Sequence, residues 1–524
     1  MKNFFKSNWI LLVILGLALF FRFYQIGTLP GGLFPDEAAN GLDVNSILKG
    51  HLQPFYERGN GREALFFYVI AAAVAIFGRG PWQHHIVSAG FGFFEVLATY
   101  FLVKRMFGKR TAYLASFFMA VSSYAVTISR TAFRANTIPL FTTLTILFLI
   151  RAYQSPDRRT KIWSGLLSGI SFGLGFYTYI SYRMMIPLLC GFAVLLLFSL
   201  RGRIKESWAA YGKPFWAWVL GFAASFSWLG YYFFTHPGSF VGRAGQVSIF
   251  SKELNHGDVV GTFLAVFKAT ILSFFTEGDL NWRHNVSGFP FLSPFLSPFF
   301  AVSVILFSLA CLVLLRQIWK KTVTEKILYM SLVAVWFWFM LAPEVTTAEG
   351  IPHGLRLIGV IPPIFILAAW SVNWLYEKLL LNRTFYRGRL AFGAIFLGSI
   401  LVYNFYLYFG IAAQSPDYYY AFRSDLTDVS GYLNARDSKQ TTYLSLDAFS
   451  VQTVDYLTTA TNNPYNLLVP ENTYQVKLKT GDQVVFTQST LYDITKFRVT
   501  HPRARLIVDK KNKFNQTIMQ VYEQ

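Results

Sequence analysis

The sequence is poor in charged residues and in cysteine. Only 14% of its 524 residues are charged, whereas soluble domains carry roughly a quarter. Its two cysteines, Cys190 and Cys311, both fall inside apolar stretches, which excludes a disulfide framework and a cysteine-based zinc site. Together with a hydrophobic content of 54%, the low charge excludes an ordinary soluble protein and predicts an α-helical polytopic membrane protein.

Acidic residues are scarce relative to basic ones, with 27 against 47 and a net charge of +20. The basic residues form short clusters between apolar stretches and provide no continuous face for a nucleic acid. If the clusters lie on the side of Lys2 and Lys6, they follow the positive-inside rule, which places that side in the cytoplasm. The clusters are Lys104-Arg105 with Lys109-Arg110, Arg158-Arg159-Lys161, Arg201-Arg203-Lys205, Arg316 with Lys320-Lys321, and Arg383-Arg387-Arg389.

Apolar stretches recur along residues 1–409 and predict about 11 transmembrane helices, since a span needs roughly 20 residues. The first, 8–26, lacks a cleavage site and is interpreted as a retained helix. Two shorter stretches, 63–78 and 259–275, are interpreted as interfacial helices. If 259–275 spans the membrane instead, the predicted orientation of the last third of the chain is reversed. The remaining predicted spans are 84–103, 111–129, 137–153, 162–180, 184–200, 214–235, 297–316, 326–342, 356–376 and 390–409.

This topology divides the chain into a membrane module, 1–409, and a polar segment, 410–524. The module has two large external loops, 27–83 and 236–296. The polar segment contains TTYLSLD, QVVFTQ, ARLIVDK and TIMQVYEQ, which predict strands, and 425–436, which predicts a helix. We therefore expect a small extracytoplasmic α/β domain. Within the module, Gly165, Gly169 and Gly173 predict close helix packing, and Pro362-Pro363 predicts a kink in the tenth span.

The acidic pair Asp36-Glu37 follows the first apolar stretch directly. Acidic side chains suit the first turn of a helix, so the local sequence alone favours a helix cap. Carboxylates at a membrane surface are costly unless they hold a metal, a proton or a substrate. In a chain built to lie in lipid, we interpret the pair as a candidate catalytic site at the outer face of the bilayer.

Other polar residues also gather on the predicted external side. Arginines at the outer ends of apolar helices can snorkel to anionic headgroups. Four of them together favour phosphate binding instead, because the guanidinium fork binds phosphate in a bidentate manner. The arginines are Arg130, Arg134, Arg183 and Arg356, and the other candidates are Glu57, Arg58, Glu63, Tyr179, Asp279, Asn281, Arg283, His284, Asn285 and His353. Glu95, inside the second span, is either functional or a buried tie between helices.

Several motifs together resemble the GT-C glycosyltransferases, which use polyprenyl-phosphate sugars and include the protein O-mannosyltransferases and the lipid A aminoarabinose transferases. These are the Asp36-Glu37 pair, the short interfacial helix after it, KRMFGKR, PHGLRLIGVIPP and the final external domain. The resemblance covers most of 1–409. One pattern differs, since the interfacial helix opens with Gly61-Arg62-Glu63-Ala64-Leu65 rather than a proline-rich "PPL".

The resemblance implies a GT-C fold and transfer of a hexose or pentose from a polyprenyl phosphate to a lipid, glycan or protein acceptor. It implies that Asp36 is the catalytic base, with Glu37 as its electrostatic partner or as a second ligand of a divalent cation. Arg356, Arg134, Arg130 and Arg183 would hold the donor phosphate, and the other candidates would shape the sugar or acceptor pocket. We expect an inverting single displacement at the outer face of a bacterial inner membrane.

Two alternatives belong to other classes. A polyprenyl-lipid flippase or transporter would also have many helices, but we would expect repeat symmetry and polar residues along a path through the membrane. A noncatalytic subunit of cell-envelope assembly would keep the helices and need no clustered acids and arginines. Because polar residues gather on one face of the predicted topology, the enzyme is favoured over the transporter.

Overall fold

A computed structural model describes residues 2–59, 61–199, 204–241, 247–380, 388–436, 440–461 and 464–524. Four arginines of the predicted basic clusters, Arg201, Arg203, Arg383 and Arg387, lie outside the described residues. The chain folds into two compact units. We call Met1–Tyr24, Gln53–Phe66 and Ser88–Ala412 the membrane unit, and Gln25–Leu52, Phe67–Val87 and Ala413–Gln524 the terminal unit.

Helices dominate the described residues. Those of the first half of the chain are α1 (Lys2–Phe23), α2 (Pro35–Leu48), α3 (Leu65–Phe77), α4 (Pro81–Phe107), α5 (Lys109–Val121), α6 (Ser123–Arg130), α7 (Ile138–Gln154), α8 (Arg158–Gly175), α9 (Met185–Ser199), α10 (Ile204–Thr235), α11 (Pro237–Val241) and α12 (Lys252–Asn255). The later ones are α13 (Val259–Leu272), α14 (Ser297–Lys320), α15 (Glu325–Val345), α16 (Ile361–Leu380), α17 (Gly388–Phe405), α18 (Pro416–Ala421), α19 (Ser424–Ala435), α20 (Val451–Thr458) and α21 (Ile494–Thr500).

Seven described helical segments are long and apolar enough to cross a membrane, and the protein is a multi-pass membrane protein. They are Pro81–Phe107, Arg134–Gln154, Lys205–Thr235, Ser297–Lys320, Glu325–Val345, Ile358–Lys378 and Leu390–Gln414. All seven coincide with predicted spans, and an eighth, 111–129, corresponds to α5 and α6, which are bent by 58°. Of the other predicted spans, 162–180 falls on the less apolar α8, 184–200 on the 15-residue α9, and 8–26 on α1, which is apolar over Asn8–Phe23. The 13-residue α3 and the 14-residue α13 are too short to span as straight helices.

The bend between α5 and α6 is stabilised from inside the membrane unit. A helix break leaves carbonyl groups without their usual partners, and Arg22 on α1 donates to the carbonyls of Met119 and Ala120 at 3.2 and 2.9 Å. Glu95 is fully buried in the same unit and interacts electrostatically with Arg22. Of the two interpretations of Glu95, this environment favours the tie between helices.

The glycine prediction is confirmed, whereas the proline prediction is wrong. A Cβ atom on Gly165, Gly169 or Gly173 of α8 would collide with atoms of α10, so these glycines permit the close approach of the two helices. Pro362 and Pro363 are the second and third residues of α16. They do not kink it, because the first-turn amides of a helix have no intrahelical acceptor to lose.

The terminal unit contains a five-stranded sheet in the order β4-β3-β5-β7-β6. Strand β3 is parallel to β4 and β5, while β7 is antiparallel to β5 and β6. The strands are β3 (Thr442–Ser445), β4 (Asn466–Leu468), β5 (Gln483–Thr487), β6 (Arg505–Lys511) and β7 (Thr517–Glu523), and the membrane unit has a short hairpin of β1 (Phe55–Tyr56) and β2 (Arg62–Glu63). The four predicted strands and the helix at 425–436 are confirmed; β4, α18, α20 and α21 were missed.

Candidate catalytic and cation-binding clusters

The acidic pair lies at the N-terminus of α2 in the terminal unit, where its two members differ. Glu37 is fully buried, accepts a hydrogen bond from the Phe34 amide at 2.9 Å and pairs with His85 at 3.5 Å. This is the capping arrangement that the local sequence favoured. Asp36 is only partly buried. The geometry therefore assigns Glu37 to the helix cap and leaves Asp36 as the more accessible carboxylate.

In the membrane unit, Glu63 holds two of the predicted phosphate-binding arginines. Its buried carboxylate pairs with Arg134 at 3.1 Å and with Arg183 at 3.3 Å. Arg134 also donates to the Gly61 carbonyl at 3.2 Å and lies over the ring of Tyr179, 5.1 Å from its centroid. We call Glu63, Arg134 and Arg183 the arginine cluster. With two guanidinium groups against one carboxylate, it carries excess positive charge.

Local backbone structure places this cluster. Glu63 ends the β1–β2 hairpin, and the next helix starts where the amide of Leu65 donates to the Tyr177 carbonyl at 3.3 Å. That bond brings the hairpin next to the 177–184 turn, which carries Tyr179 and Arg183. The guanidinium of Arg183 also lies over Phe240 at 4.4 Å, so aromatic rings and one carboxylate fix both arginines.

A second cluster of the membrane unit consists of Asp279, His284 and His353, and we call it the histidine cluster. Asp279 Oδ2 lies 2.8 Å from His284 Nδ1 and accepts a hydrogen bond from the Gly354 amide, also at 2.8 Å. The imidazole rings of His284 and His353 lie 4.5 Å apart. Potential ligand atoms of all three residues lie within 4.8 Å of one another. The cluster thus gathers the nitrogen and oxygen donors that divalent metals use.

The protonation of the histidine cluster suits a metal ligand set. Burial lowers the pKa of His284 despite the opposing hydrogen bond to Asp279. Burial also lowers the pKa of His353 well below its usual value, helped by His284 and Arg356. For Asp279, burial acts to raise the pKa, but the hydrogen bonds from His284 and two backbone amides hold it below the usual value. At neutral pH the cluster therefore has two neutral imidazoles and a carboxylate, the forms that bind metals.

A cavity of about 740 Å³ adjoins the histidine cluster. Ala269 and Leu272 of α13 form an apolar part of its wall, and most of the other lining residues are polar. The lining holds three carboxylates, which are Glu277, Asp279 and Glu349, against one guanidinium, Arg356. Arg356 is further matched by Glu344 at 3.9 Å, and Nδ1 of His353 has no hydrogen-bond partner among the described residues. Because this wall is net negative, it favours a bound cation over a bare phosphate.

The two clusters are neighbours in the membrane unit. The segment after α6 carries Arg134 of the arginine cluster, and its Phe133 ring packs 5.8 Å from the ring of His284. Thr131 donates to the Arg283 carbonyl at 2.9 Å. One short segment therefore contacts the loop of the histidine cluster and supplies a member of the arginine cluster.

The remaining sequence candidates fall into different environments. Arg130 is fully buried, donates to the carbonyls of Phe21 and Arg22 at 3.2 and 3.0 Å, and lies over Tyr408. Glu57 accepts a hydrogen bond from Tyr232 at 2.8 Å, and Arg58 is exposed. The loop of the histidine cluster holds Asn281, Arg283 and Asn285; Asn281 accepts from Arg283, and Asn285 donates to the Phe289 carbonyl.

Sequence reasoning missed three residues that support these clusters. Glu344, within APEV, accepts a hydrogen bond from the His353 amide at 2.8 Å. Tyr124 on α6 donates to the Gly354 carbonyl at 2.6 Å. His85 pairs with Glu37. Tyr124 and His85 are distant in sequence from their partners and lie in predicted spans, so a polar group within a span was the available signal for them. Glu344 lies just after the predicted span 326–342, nine residues before His353.

One known protein family matches part of the sequence. Residues 64–228 match the family described as dolichyl-phosphate-mannose-protein mannosyltransferase. No curated protein matches the chain. A solved structure of ArnT from Cupriavidus metallidurans bound to undecaprenyl phosphate is similar, with a TM-score of 0.53, 13% identity and 98% of both chains covered.

The oligosaccharyltransferase AglB from Archaeoglobus fulgidus is also similar in structure. Its complex with an inhibitory peptide and a dolichol phosphate gives a TM-score of 0.53 at 12% identity, covering 98% of this chain and 74% of AglB. Its complex with zinc and sulfate gives 0.50 at 10% identity, covering 98% and 73%. At these identities the likeness concerns the fold. The resemblance predicted from the sequence is thus confirmed at the level of the GT-C superfamily of glycosyltransferases, whose fold this chain has.

Proposed function

We propose that the protein transfers a sugar from a polyprenyl phosphate to an acceptor at the extracytoplasmic face of a bacterial inner membrane, with its N-terminus in the cytoplasm. The observation that carries the proposal is the adjacency of the arginine cluster and the histidine cluster in the membrane unit. The family match over 64–228 and the GT-C fold support the same reaction class. The donor sugar is a hexose or a pentose.

Asp36 is the proposed general base. An acceptor hydroxyl or amine attacks the anomeric carbon and loses its proton to the Asp36 carboxylate. The bond from the anomeric carbon to the phosphate oxygen breaks, and its electron pair leaves with the polyprenyl phosphate. A single displacement of this kind inverts the anomeric configuration. Glu37 keeps α2 capped, since its oxygens are engaged by the Phe34 amide and His85.

Arg134 and Arg183 are the proposed ligands of the donor phosphate. The leaving phosphate gains negative charge as the bond breaks, so cationic groups fixed in advance stabilise the transition state. Among the described residues, the two guanidinium groups share one carboxylate, which leaves positive charge for a phosphate. Arg356 has two acidic neighbours, each at 3.9 Å, which make it a weaker candidate than this pair. Arg130 is left out because its guanidinium binds backbone carbonyls.

The histidine cluster is the proposed site of a divalent cation. The neutral imidazoles, the carboxylate and the net negative wall of the adjacent cavity fit such an ion. A bound divalent cation would supply electrostatic stabilisation of phosphate charge. Among this chain's own residues, Asp279 orients His284, and the Gly354 amide holds Asp279. The apolar α13 side of the cavity suits the lipid part of a donor.

The test is release of polyprenyl phosphate by the purified protein from a panel of polyprenyl phosphates carrying mannose, glucose, galactose or aminoarabinose, with membrane extract as the source of acceptor. We expect one donor to turn over and Asp36→Asn to reduce turnover at least ~100-fold. Asp417→Asn is the matched control, because Pro416-Asp417 begins α18 as Pro35-Asp36 begins α2. Full activity of Asp36→Asn would refute the base assignment, and turnover of no donor would refute the reaction class.

A further inference from the structure

We infer that the C-terminal sheet domain, 413–524, positions Asp36 by holding helix α2, and that Tyr456 on α20 is the central positioning residue. The inference rests on the proposed role of Asp36 and assigns a function to a domain that is far from Asp36 in sequence. All of the contacts that carry it lie within the terminal unit.

Tyr456 touches both helices that support the acidic pair. Its ring is fully buried against Gly41 of α2, where a Cβ atom would lie only 2.6 Å from the ring. Its hydroxyl lies 2.9 Å from Nε2 of His84 on α4. The guanidinium of Arg79 stacks over the ring at 5.6 Å and donates to Asn45 on α2 at 2.7 Å. Tyr456 is thus enclosed on several sides and has little freedom to move.

The two adjacent histidines of α4 contact different residues. His84 contacts Tyr456, and His85 contacts Glu37, the residue next to Asp36. Both histidines are fully buried. A continuous series of contacts therefore runs from Tyr456 through His84 and His85 to Glu37 and the first turn of α2.

The chain that leads into α2 is also fixed by the sheet domain. Thr453 on α20 donates to the Leu33 carbonyl at 3.0 Å, and Thr427 on α19 donates to the Gly31 carbonyl at 3.2 Å. Leu33, Ala38 and Tyr456 form one buried apolar cluster. Residues of the sheet domain therefore hold the start of α2 through hydrogen bonds to the backbone just before it and through packing against its apolar face.

A carboxylate that acts as a base needs accurate placement, since a displacement of about 1 Å can reduce the rate ~100-fold. Asp36 is carried by the first turn of α2, and the chain that enters this turn is held by Thr453 and Thr427. Loss of the contact between Tyr456 and α2 should therefore lower kcat while leaving donor binding unchanged.

The test substitutes Gly41→Ala in the full-length protein. Alanine forms helices more readily than glycine, so helix propensity alone predicts that Gly41→Ala stabilises α2. The collision of the new methyl group with the Tyr456 ring predicts that it destabilises α2. Gly431→Ala in α19 is the matched control, because a Cβ atom there meets no atom within 4 Å. Hydrogen exchange of the α2 amides and kcat and KM with the donor panel are measured for each variant.

We expect Gly41→Ala to speed exchange in α2 and to lower kcat about tenfold, a fraction of the ~100-fold cost of a full 1 Å displacement, with donor KM within about twofold. Tyr456→Phe, which keeps the ring and removes only the hydroxyl, should give a smaller loss of kcat. Gly431→Ala should resemble the wild type in every measurement.

The inference is overturned if Gly41→Ala leaves α2 exchange unchanged, or if its kcat equals that of the wild type while Asp36→Asn is inactive. A purely structural role would reduce the folded fraction without changing kcat per folded molecule, and that result would also overturn it. If Asp36→Asn is itself fully active, the proposed base assignment fails and the inferred catalytic role of Tyr456 falls with it, while the exchange data still report whether Tyr456 holds α2.

Discussion

Tyr124 donates a hydrogen bond of 2.6 Å to the carbonyl of Gly354, and the amide of Gly354 donates in turn to Asp279 at 2.8 Å. Tyr124 lies on α6, the second half of the bent helix pair, whose bend is held by Arg22. The histidine cluster is therefore connected through two hydrogen bonds to a helix of the membrane unit. Such outer partners fix the orientation of metal ligands and the affinity of the site.

Tyr124→Phe should consequently weaken cation binding. The ring would still pack against Phe291, 4.4 Å away between centroids, but the Gly354 carbonyl would lose its donor, so the Gly354 amide that donates to Asp279 would be held less firmly. We expect the affinity for Zn²⁺ or Mn²⁺, measured by calorimetric titration of the purified protein, to fall ~10-fold. Tyr100→Phe, a buried tyrosine that stacks on Tyr113, serves as the control. Equal affinities in the two variants would show that Tyr124 has no influence on the site.

His353→Gln should remove a cation ligand outright. The other two members, Asp279 and His284, would remain hydrogen-bonded to each other, so the fold of the loop should survive. We expect metal content, measured by elemental analysis after loading with Zn²⁺, to drop from one ion per chain to a small fraction. The control is His236→Gln at the exposed end of α10, where the imidazole stacks on Tyr232. Full metal content in His353→Gln would contradict the proposed ligand set.

The fold and the site differ in how much the sequence could predict. Spans such as 297–316 are recognisable because a membrane helix must be apolar along its whole length, and strands such as β5 and β7 follow from local apolar patterns. The catalytic role of Asp36 stays a prediction that rests on its motif. The support of Gly354 by Tyr124 connects residues 230 positions apart, and two buried polar groups in apolar segments leave no periodic pattern. Only the fold brings them together.

Charge balance in the arginine cluster gives a further prediction, for Glu63→Gln. Removing the shared carboxylate leaves Arg134 and Arg183 facing each other without a counter-charge, and loss of one partner of a buried ion pair typically costs ~3–5 kcal/mol. The thermal midpoint should therefore fall. A lipid phosphate can replace the missing carboxylate, so undecaprenyl phosphate should raise the midpoint more in the variant than in the wild type.

Glu206→Gln, at an exposed position in the first turn of α10, is the control for this thermal measurement and should match the wild type with and without the lipid. An undecaprenyl phosphate response in Glu63→Gln no larger than that of the wild type would argue that the arginine cluster does not bind the phosphate. Undecaprenol, the same lipid without its phosphate, should give no added stabilisation in either protein, because the proposed contact is with the charged group.

Helix α19 of the terminal unit carries the acidic members of two ion pairs, one buried and one exposed. Asp425 on α19 forms two hydrogen bonds of 2.9 Å to Arg423 and is almost fully buried. Although burial acts to lower the pKa of Arg423, Asp425 raises it above its usual value, so the arginine stays charged and depends on its partner. Asp428, three residues on, pairs with Lys510 at 3.7 Å, and both side chains are exposed.

Asp425→Asn should therefore destabilise the sheet domain by ~3–5 kcal/mol, the cost of leaving a buried charge uncompensated. Asp428→Asn should cost at most ~1 kcal/mol, because water screens an exposed pair. Hydrogen exchange of the β5 and β7 amides in the full-length protein reports both values on the same strands. If the two variants exchange at the same rate, the Arg423–Asp425 pair does not stabilise the domain. Since Arg423 also donates to Ser450, next to α20, the larger effect should extend to the helix that carries Tyr456.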